Sequence, residues 1–213
     1  MKKIYILYIF VLLGSNAMCQ DKADELGPWF YGSIILKNQK IVKGQIYISL
    51  EKDVVIVKSA QETLKAYSAY QIDYFHFYDQ NLRLERYYRS FATSLKKCSK
   101  NNFFEVLAVG EMYYLRQEVE MLIPSSDYRY FFGNNNETIG YKTCFVYYLY
   151  QNDEIIKIKN FKKQFLDIAQ DYGIKLSSFA LEENINFVSI EDQIKIITYY
   201  NYLKDMEQAI TKK

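Results

Sequence analysis

Residues 141–169 read YKTCFVYYLYQNDEIIKIKNFKKQFLDIA, and the periodicity of the chain changes within this stretch. Before Asn160 the pattern predicts a hairpin, with strands at 141–150 and 154–159 and a turn at 151–153. Asn160 is a residue type that caps helix N-termini, and after it the apolar positions follow helical spacing: Phe161, Phe165, Ile168 and Ala169. The stretch therefore predicts a chain that passes from β structure into α structure at residue 160.

Upstream of this hairpin, runs with period-two alternation are separated by short turns. They predict strands at 29–37, 41–50, 53–58, 64–67, 73–79, 84–92, 103–109 and 112–120. Strands at this spacing with tight turns are typical of an antiparallel barrel or sandwich. We therefore expect a β-rich domain over residues 29–159.

Downstream, two further helical stretches follow. Gly173 is predicted to end the first helix, and a short second helix is predicted over 176–183. The third helix has the strongest start signal, because Ser189 with Asp192 three residues later resembles a capping box. Residues 160–213 are therefore expected to form two to three helices packed on the β-rich domain, and the predicted fold class is α+β.

The N-terminus has the pattern of a secretory signal peptide. Lys2 and Lys3 precede an apolar run from Ile4 to Leu13, and small and polar residues follow. The run is too short for a membrane span, which needs roughly 20 apolar residues. We therefore expect residues 1–19 to be a signal peptide and 20–28 a flexible leader. The protein would then be exported to the periplasm, the cell envelope or the extracellular space.

Cys19 leaves two alternatives for processing. Cleavage after Cys19 would produce a chain that begins at Gln20, and cleavage after Ala17 fits the pattern almost as well. Bacterial lipoproteins carry a lipidated cysteine at such a position, but the residue before it is normally Gly, Ala or Ser, and here it is Met18. Plain cleavage is therefore preferred, and membrane attachment is expected only if Cys19 is lipidated.

Charge and motifs exclude several classes of partner and cofactor. The chain has a formal net charge of +2, and removal of residues 1–19, with Lys2 and Lys3, reduces it to zero. Binding to nucleic acid or to an anionic membrane is therefore not expected. The sequence has no phosphate-binding loop, dinucleotide fingerprint or calcium loop, and its single histidine excludes a multi-histidine zinc site. We expect no cofactor and no metal.

Cys98 and Cys144 are the two cysteines that remain after cleavage at Cys19. Export would place them in a compartment where disulfides persist, so a Cys98–Cys144 disulfide is one expectation. The alternative is two buried thiols, which are common in protein cores. The absence of a CxxC motif argues against redox catalysis and a zinc ribbon.

Tyrosine is the outlier of the composition, with 22 residues in 213. Its ring and hydroxyl suit strands that are half buried and half wet. In the stretch 73–79, DYFHFYD, alternation places Tyr74, His76 and Tyr78 on one face and the two phenylalanines on the other, which should face the core. Together with Tyr87 of the next strand, these are the candidate ligand-binding residues.

The sequence does not predict a catalytic residue. His76 would need partners, and no GxSxG elbow is present to position the serine of a Ser-His-Asp triad. Glycoside hydrolysis needs two carboxyl groups about 5–10 Å apart. Asp73 and Asp79 are separated by roughly 20 Å along one strand. They are therefore interpreted as strand-end and turn residues.

Three arginines, Arg83, Arg86 and Arg89, interleave with tyrosines, a mixture found on surfaces that bind single-stranded nucleic acid. Glu85 lies among them, and alternation puts Arg86 on the face opposite the other two. We therefore interpret all three as solvated strand residues.

Two resemblances add to this reading. The pattern Gly32-x-Ile34-x-Leu36, then Ile41-x-x-Gly44-x-Ile46 and Val54-Val55-Ile56-Val57, resembles the opening of small SH3-like or Sm-like barrels. It covers only this part of the chain, and it implies a strongly bent sheet without implying RNA binding.

The second resemblance covers most of the chain. It rests on Leu36-Lys37-Asn38 with Lys43-Gly44, Asp73 to Asp79, Phe103 to Val106 with Gly110-Glu111, Tyr147 to Tyr150 running into Lys159 to Lys163, and Tyr199-Tyr200-Asn201-Tyr202-Leu203. This order is similar to a group of exported proteins of unknown function from Bacteroidetes-type bacteria. The resemblance implies an envelope or periplasmic location and implies no activity.

These observations favour an exported envelope protein that binds or scaffolds without catalysis, its partner being an unknown envelope protein or a glycan. Two alternatives stay open. An envelope hydrolase acting on glycans would need two carboxylates in one cleft. An assembly partner that docks through its C-terminal helices would carry an exposed apolar patch on the helix at 189–203.

Overall fold

The structure is a computed structural model that describes residues 27–59, 62–95, 98–123 and 140–211. The strands are β1 (Phe30–Leu36), β2 (Ile41–Ser49), β3 (Val54–Lys58), β4 (Leu64–Ser68), β5 (Ile72–Asp79), β6 (Leu84–Leu95), β7 (Cys98–Ala108), β8 (Tyr113–Ile123), β9 (Gly140–Gln151) and β10 (Glu154–Lys157). The helices are α1 (Phe161–Ile168), α2 (Gly173–Glu182) and α3 (Ile190–Thr211), with a 3-10 turn at Gln170–Tyr172. The predicted signal peptide and residues 20–26 of the predicted leader lie outside the described residues.

The ten strands of the described residues belong to one antiparallel sheet, in the order β10-β9-β8-β7-β6-β5-β1-β2-β3-β4. Strands adjacent in sequence are adjacent in the sheet except at one place, where β5 pairs with β1 instead of β4. The helices follow the last strand. The predicted α+β class, with antiparallel strands, short hairpins and a C-terminal helical segment, is confirmed.

The part of the sheet from β1 to β7 bends around a core of its own. Phe75 of β5 packs in one cluster with Val55 of β3 and Phe103 of β7. Asp53, in the turn before β3, connects this turn to β7. Its carboxylate accepts hydrogen bonds from Phe103 N at 3.0 Å and from Asn102 Nδ2 at 2.7 Å. The bend agrees with the barrel-like opening expected from residues 32–57.

The three helices share a second core with β7, β8 and β9. Phe165 of α1 and the α3 residues Ile197 and Tyr200 are buried together with Tyr114 of β8 and Leu149 of β9. Burial of an aromatic or aliphatic side chain stabilises the fold by about 1.5–3 kcal/mol. The helical segment is therefore joined to the sheet by a continuous apolar interface.

Asn201 connects α3 to the turn between β7 and β8. Its Oδ1 accepts from Met112 N at 2.9 Å, and its Nδ2 donates to Met112 O at 2.9 Å and to Val109 O at 3.1 Å. A Cβ atom on Gly110 would lie 2.3 Å from Asn201 Cγ. Only glycine lets the turn approach the amide this closely.

The start of α1 is as predicted, but its end is not. Asn160 caps the helix, with its Oδ1 accepting from Lys163 N at 3.1 Å. Gly173 does not end this helix: α1 ends at Ile168, and Gly173 begins α2 with a right-handed helical φ of −51°. A glycine here adopts an ordinary helical conformation, so its presence alone did not mark a helix end.

The start of α3 has half of the predicted capping box. Ser189 Oγ accepts from Asp192 N at 3.3 Å, as an N-cap does. The Asp192 carboxylate accepts from Asn186 N at 3.1 Å, whereas a capping box would return this bond to Ser189 N. The side chain therefore ties the preceding loop to the helix.

The Cys98–Cys144 disulfide is not formed, so this expectation is wrong. Cys144 is a free thiol in β9, opposite Val119 of β8. Cys98 begins β7, opposite Leu95 of β6. In the strand order β8 lies between β7 and β9, so the two cysteines are on strands that do not pair with each other.

Candidate functional site

The four predicted ligand-binding residues lie together on one face of the sheet. Tyr74, His76 and Tyr78 alternate along β5 with two buried phenylalanines that pack into the core. Tyr87 of β6 lies directly opposite His76. The prediction that these residues share a face is therefore confirmed.

Tyr31 of β1 extends this group, and the sequence analysis missed it. The register of β1 and β5 pairs Gly32 with Phe77, so Tyr31 is adjacent to Tyr78 on the outer side. Tyr31, Tyr74, Tyr78 and Tyr87, here called the tyrosine face, are 70%, 40%, 52% and 46% exposed. The alternation of β1 is visible in the sequence, but its adjacency to β5 depends on pairing between distant segments.

A row of hydrogen bonds crosses the middle of this face. The Ser33 Oγ atom of β1 lies 2.5 Å from His76 Nε2, and His76 Nδ1 lies 2.8 Å from Glu85 Oε1 of β6. The Tyr87 hydroxyl donates to the other carboxylate oxygen of Glu85 at 2.7 Å. In the neutral imidazole, Nδ1–H donates to Glu85 and Nε2 accepts from the Ser33 hydroxyl.

The row fixes the position of the Tyr87 ring. The His76 and Tyr87 rings are stacked, with centroids 5.4 Å apart and planes 12° apart. The Tyr87 hydroxyl is held at the same time by Glu85. A ring restrained at both its face and its tip loses little further rotamer freedom when a ligand binds.

The shared hydrogen bond changes the acidity of both partners. The Tyr87 hydroxyl, followed by the His76 imidazole, lowers the pKa of Glu85. The Glu85 carboxylate raises the pKa of Tyr87. At neutral pH Glu85 is therefore ionised and Tyr87 protonated, which is the combination that the row requires.

A groove of about 340 Å³ adjoins the tyrosine face. It lies between Tyr74 and Tyr87 on one side and Val106 and Tyr113 on the other. Arg89 lines it as well and is held by two bonds, to the Tyr113 hydroxyl at 2.7 Å and to Asp73 at 3.3 Å. The site therefore combines exposed rings with fixed polar groups.

Ser33, His76 and Glu85 also have the connectivity of a serine-hydrolase triad, in which a base contacts the nucleophile and a carboxylate orients the base. The backbone around Ser33 differs from that of such enzymes. β1 pairs with β2 on one side and β5 on the other, so its N–H groups are used within the sheet. The β1 backbone therefore offers no donor to an oxyanion.

A second polar cluster is buried and joins β6, β7 and β8. Glu105 accepts from Arg86 Nε at 2.9 Å and from Arg116 Nη2 at 2.7 Å. The interpretation of Arg86 as a solvated residue is wrong, because its side chain is only 13% exposed. Burial acts to raise the pKa of Glu105, but the two guanidinium groups outweigh it and the pKa is lowered. The cluster is structural.

The glycan-hydrolase alternative requires two carboxylates in one cleft, and one cavity of the structure is lined by several. A cavity of about 620 Å³ is bounded by several carboxylates, among them Glu51, Asp53, Glu118 and Glu120. The carboxyl groups with shifted pKa values in the described ranges all shift downward: Glu85, Glu105, Glu191 and Asp192. Glu85, Glu105, Glu191 and Asp192 therefore lack the raised pKa of a general acid, and none of them lines this cavity.

Another finding bears on docking through the helices. Within residues 189–203, Tyr202 is the one large apolar side chain that is exposed, at 55%. Met206 and Ile210, further along α3, are exposed as well. These side chains are spaced along the C-terminal half of the helix.

Among the residues that the structure describes, no cluster of His, Cys, Asp and Glu could hold a metal ion. In the same part of the chain, no helix has both the length and the apolar character needed to cross a bilayer. No family model, curated protein or solved structure matches the chain.

Proposed function

We propose that this chain is a non-catalytic binding protein of the cell envelope whose tyrosine face binds a glycan. The observation that carries the proposal is the restrained Tyr87 ring, stacked on His76 and bonded to Glu85. Exposed aromatic rings that are fixed before binding are typical of recognition surfaces, because little entropy is lost when a ligand settles on them.

The chemistry of the face favours a sugar chain over an apolar partner. A pyranose offers C–H groups that pack on the electron-rich face of an aromatic ring, and hydroxyls that bond to polar groups beside it. Tyr74 and Tyr78 are exposed with rings and hydroxyls available, and Lys43 lies opposite Ser33 in the register of β1 and β2. Rings and hydrogen-bonding groups thus alternate over adjacent strands.

The location in the envelope is part of the proposal and rests on the N-terminal pattern of Lys2 and Lys3 followed by an apolar run. Intact mass spectrometry of the protein from an envelope fraction tests it. A mature chain beginning at Gln20 would support export with plain cleavage. A chain that retains residues 1–19 in the cytoplasmic fraction would contradict it.

Binding is tested by co-sedimentation with purified Gram-negative peptidoglycan sacculi and, in parallel, by titration with the soluble polysaccharide of the same envelopes. The test variant is Tyr74→Ser/Tyr78→Ser/Tyr87→Ser. If each ring contributes about 0.5–1.5 kcal/mol, as aromatic contacts do, the triple variant should bind about tenfold or more weakly.

The matched control is Tyr202→Ser, which removes an equally exposed tyrosine from α3. It should bind as the wild type does. Both variants should keep the wild-type circular dichroism spectrum, since exposed side chains contribute little to stability. Equal binding by the triple variant and the wild type would refute the assignment of the face, and a wild-type chain that binds neither glycan would refute the ligand class.

A second candidate function is an ester hydrolase acting on acylated glycans, and the Ser33–His76–Glu85 chain favours it. Ser33 Oγ would attack the ester carbonyl while its proton passes to His76 Nε2 and then to the leaving alcohol, and water would release the acyl group. A fluorophosphonate probe tests this candidate. Covalent labelling that is lost in Ser33→Ala would support it, and an unlabelled wild-type protein would exclude it.

A further inference from the structure

The sheet opens between β7 and β8. These strands pair only over Glu105–Ala108 and Tyr114–Arg116. Among the described strands, β7 pairs before this region only with β6, over 98–104, and β8 pairs beyond it only with β9, over 117–123. Each strand therefore has one edge that no described strand occupies. The two edges face the same gap, because β7 and β8 are neighbours in the sheet.

Two cavities border this gap, and the larger one also reaches Phe30 of β1, Ile48 of β2 and Phe77 of β5. The larger, of about 620 Å³, is lined by four consecutive β8 residues, Gln117 to Glu120. Consecutive residues of a strand point to opposite faces, so a cavity that touches all four lies along the edge of β8. The second cavity, of about 480 Å³, shares Asn102 of β7 and Gln117 with the first. The gap is therefore accessible along both strands.

The walls of the larger cavity carry excess negative charge. Glu51, Glu118 and Glu120 line it and form no ion pair with any described side chain. The two cations that line the same cavity form ion pairs with other carboxylates: Lys100 Nζ lies 2.9 Å from Asp53, and Arg86 Nη2 lies 2.8 Å from Glu105. A positively charged occupant would therefore be favoured.

We propose that this gap is a docking site for a basic, extended peptide segment of a partner protein, which adds as a strand to the edge of β8. Backbone N–H and C=O groups at an unpaired strand edge are a ready template for β-augmentation. Glu118 and Glu120 are two residues apart and so share one face of β8. A partner with Lys or Arg at alternate positions would place both cations opposite these carboxylates.

This site is separate from the tyrosine face, so the two proposals stand or fall independently. The tyrosine face lies on β1, β5 and β6, whereas the proposed docking edge lies on β8. The sequence pattern of the partner follows from the geometry: basic residues alternate with apolar or β-branched residues over about seven positions, the length of β8 beyond its pairing with β7.

The test uses the full mature chain and a fluorescein-labelled peptide of alternating Lys and Val or Thr, about eight residues long. Fluorescence anisotropy measures its affinity. The comparison peptides have the same composition with the lysines in one block, or the same sequence with N-methylated amides at the residues that would pair with β8. The peptide with its lysines in one block lacks the alternation, and the N-methylated peptide lacks the backbone N–H donors. Both peptides keep the charge of the alternating peptide.

The variant Glu118→Lys/Glu120→Lys should bind the alternating peptide about tenfold more weakly, because two attractive cross-strand pairs become repulsive. Glu182→Lys/Glu183→Lys is the matched control, with two exposed glutamates changed at the end of α2. It should bind as the wild type does. The triple tyrosine variant should also bind this peptide normally.

The expected result is weaker binding of both comparison peptides and of the Glu118/Glu120 variant. Undiminished binding of the N-methylated peptide would overturn strand addition, and undiminished binding by the charge-reversed variant would overturn the assignment of the edge. No binding of the alternating peptide, or a wild-type dimer in light scattering that the charge-reversed variant abolishes, would overturn a partner peptide as the occupant. Circular dichroism of both glutamate variants should match that of the wild type.

Discussion

Replacement of Asn201 by Ala tests how the helical segment is joined to the sheet. Asn201 is 4% exposed and makes three hydrogen bonds, all of them to backbone groups of the turn between β7 and β8. The side chain belongs to α3, and the groups that it contacts lie about 90 residues earlier in the chain, as its separation of 89 residues from Met112 shows. The methyl side chain of alanine cannot form any of these hydrogen bonds.

The magnitude follows from where the abandoned groups lie. Met112 is fully buried, so its N–H and C=O would both be left without partners, and each such group costs about 1–3 kcal/mol. Val109 is 66% exposed, so its carbonyl can bond to water and adds little. We therefore expect Asn201→Ala to lower the free energy of unfolding by about 2–6 kcal/mol.

Urea unfolding followed by circular dichroism measures this change. The matched control is Asn81→Ala, because the Asn81 side chain is exposed and makes no hydrogen bond within the described residues. The control should change the free energy of unfolding by less than about 0.5 kcal/mol. A loss below about 1 kcal/mol for Asn201→Ala would contradict this expectation, because it would show that water or a shift of the turn satisfies the Met112 groups.

Three further predictions follow from the buried cluster and the cysteines. Glu105→Gln should lower the free energy of unfolding in urea by about 3–5 kcal/mol, because Arg116 would lose its carboxylate partner and Arg86 would keep only Asp79, at 3.5 Å; a change below about 1 kcal/mol would contradict this. The folded-state pKa of Glu105 is lowered, so its contribution to stability is present above the unfolded value of about 4.5 and is lost as the pH falls through the folded value. Urea midpoints measured from pH 7 to pH 3 should therefore fall less steeply in Glu105→Gln than in the wild type, and parallel curves would argue against this contribution. The intact mass should not change on reduction, because Cys144 is a free thiol; a gain of two hydrogens would show that Cys98 and Cys144 had been joined.

Features that depend on adjacent residues could be predicted from the sequence. Alternation in residues 73–79 separated the exposed Tyr74 and Tyr78 from the phenylalanines of the core. The turn after β9 could be predicted in the same way, because Asn152 and Asp153 adopt positive φ values of 51° and 61°, which these residue types tolerate. Asn160 was recognised as a cap for the same reason: its partner, Lys163 N, is three residues away.

Features that depend on strand register could not be predicted in this way. The Ser33–His76 contact joins residues 43 positions apart, and it forms because β5 pairs with β1. The burial of Arg86 depends on Glu105, which β7 contributes. An arginine in a strand is solvated in most contexts, and the sequence around Arg86 does not show that the carboxylate of Glu105 lies beside it in the core.

The absence of a disulfide has the same origin. Pairing of Cys98 and Cys144 was expected from their number and from export, neither of which contains geometric information. The order of strands places β8 between them. Composition and compartment therefore set an expectation that only the topology could test.

Residue-level footprinting tests most directly whether the tyrosine face contacts a glycan. Hydroxyl-radical labelling with mass spectrometry would compare the wild-type chain with and without the soluble envelope polysaccharide. We expect protection of Tyr74, Tyr78 and Tyr87 when the polysaccharide is bound, with the exposed Tyr202 of α3 labelled to the same extent in both samples. Binding of the polysaccharide with unchanged labelling of the three face tyrosines would contradict it.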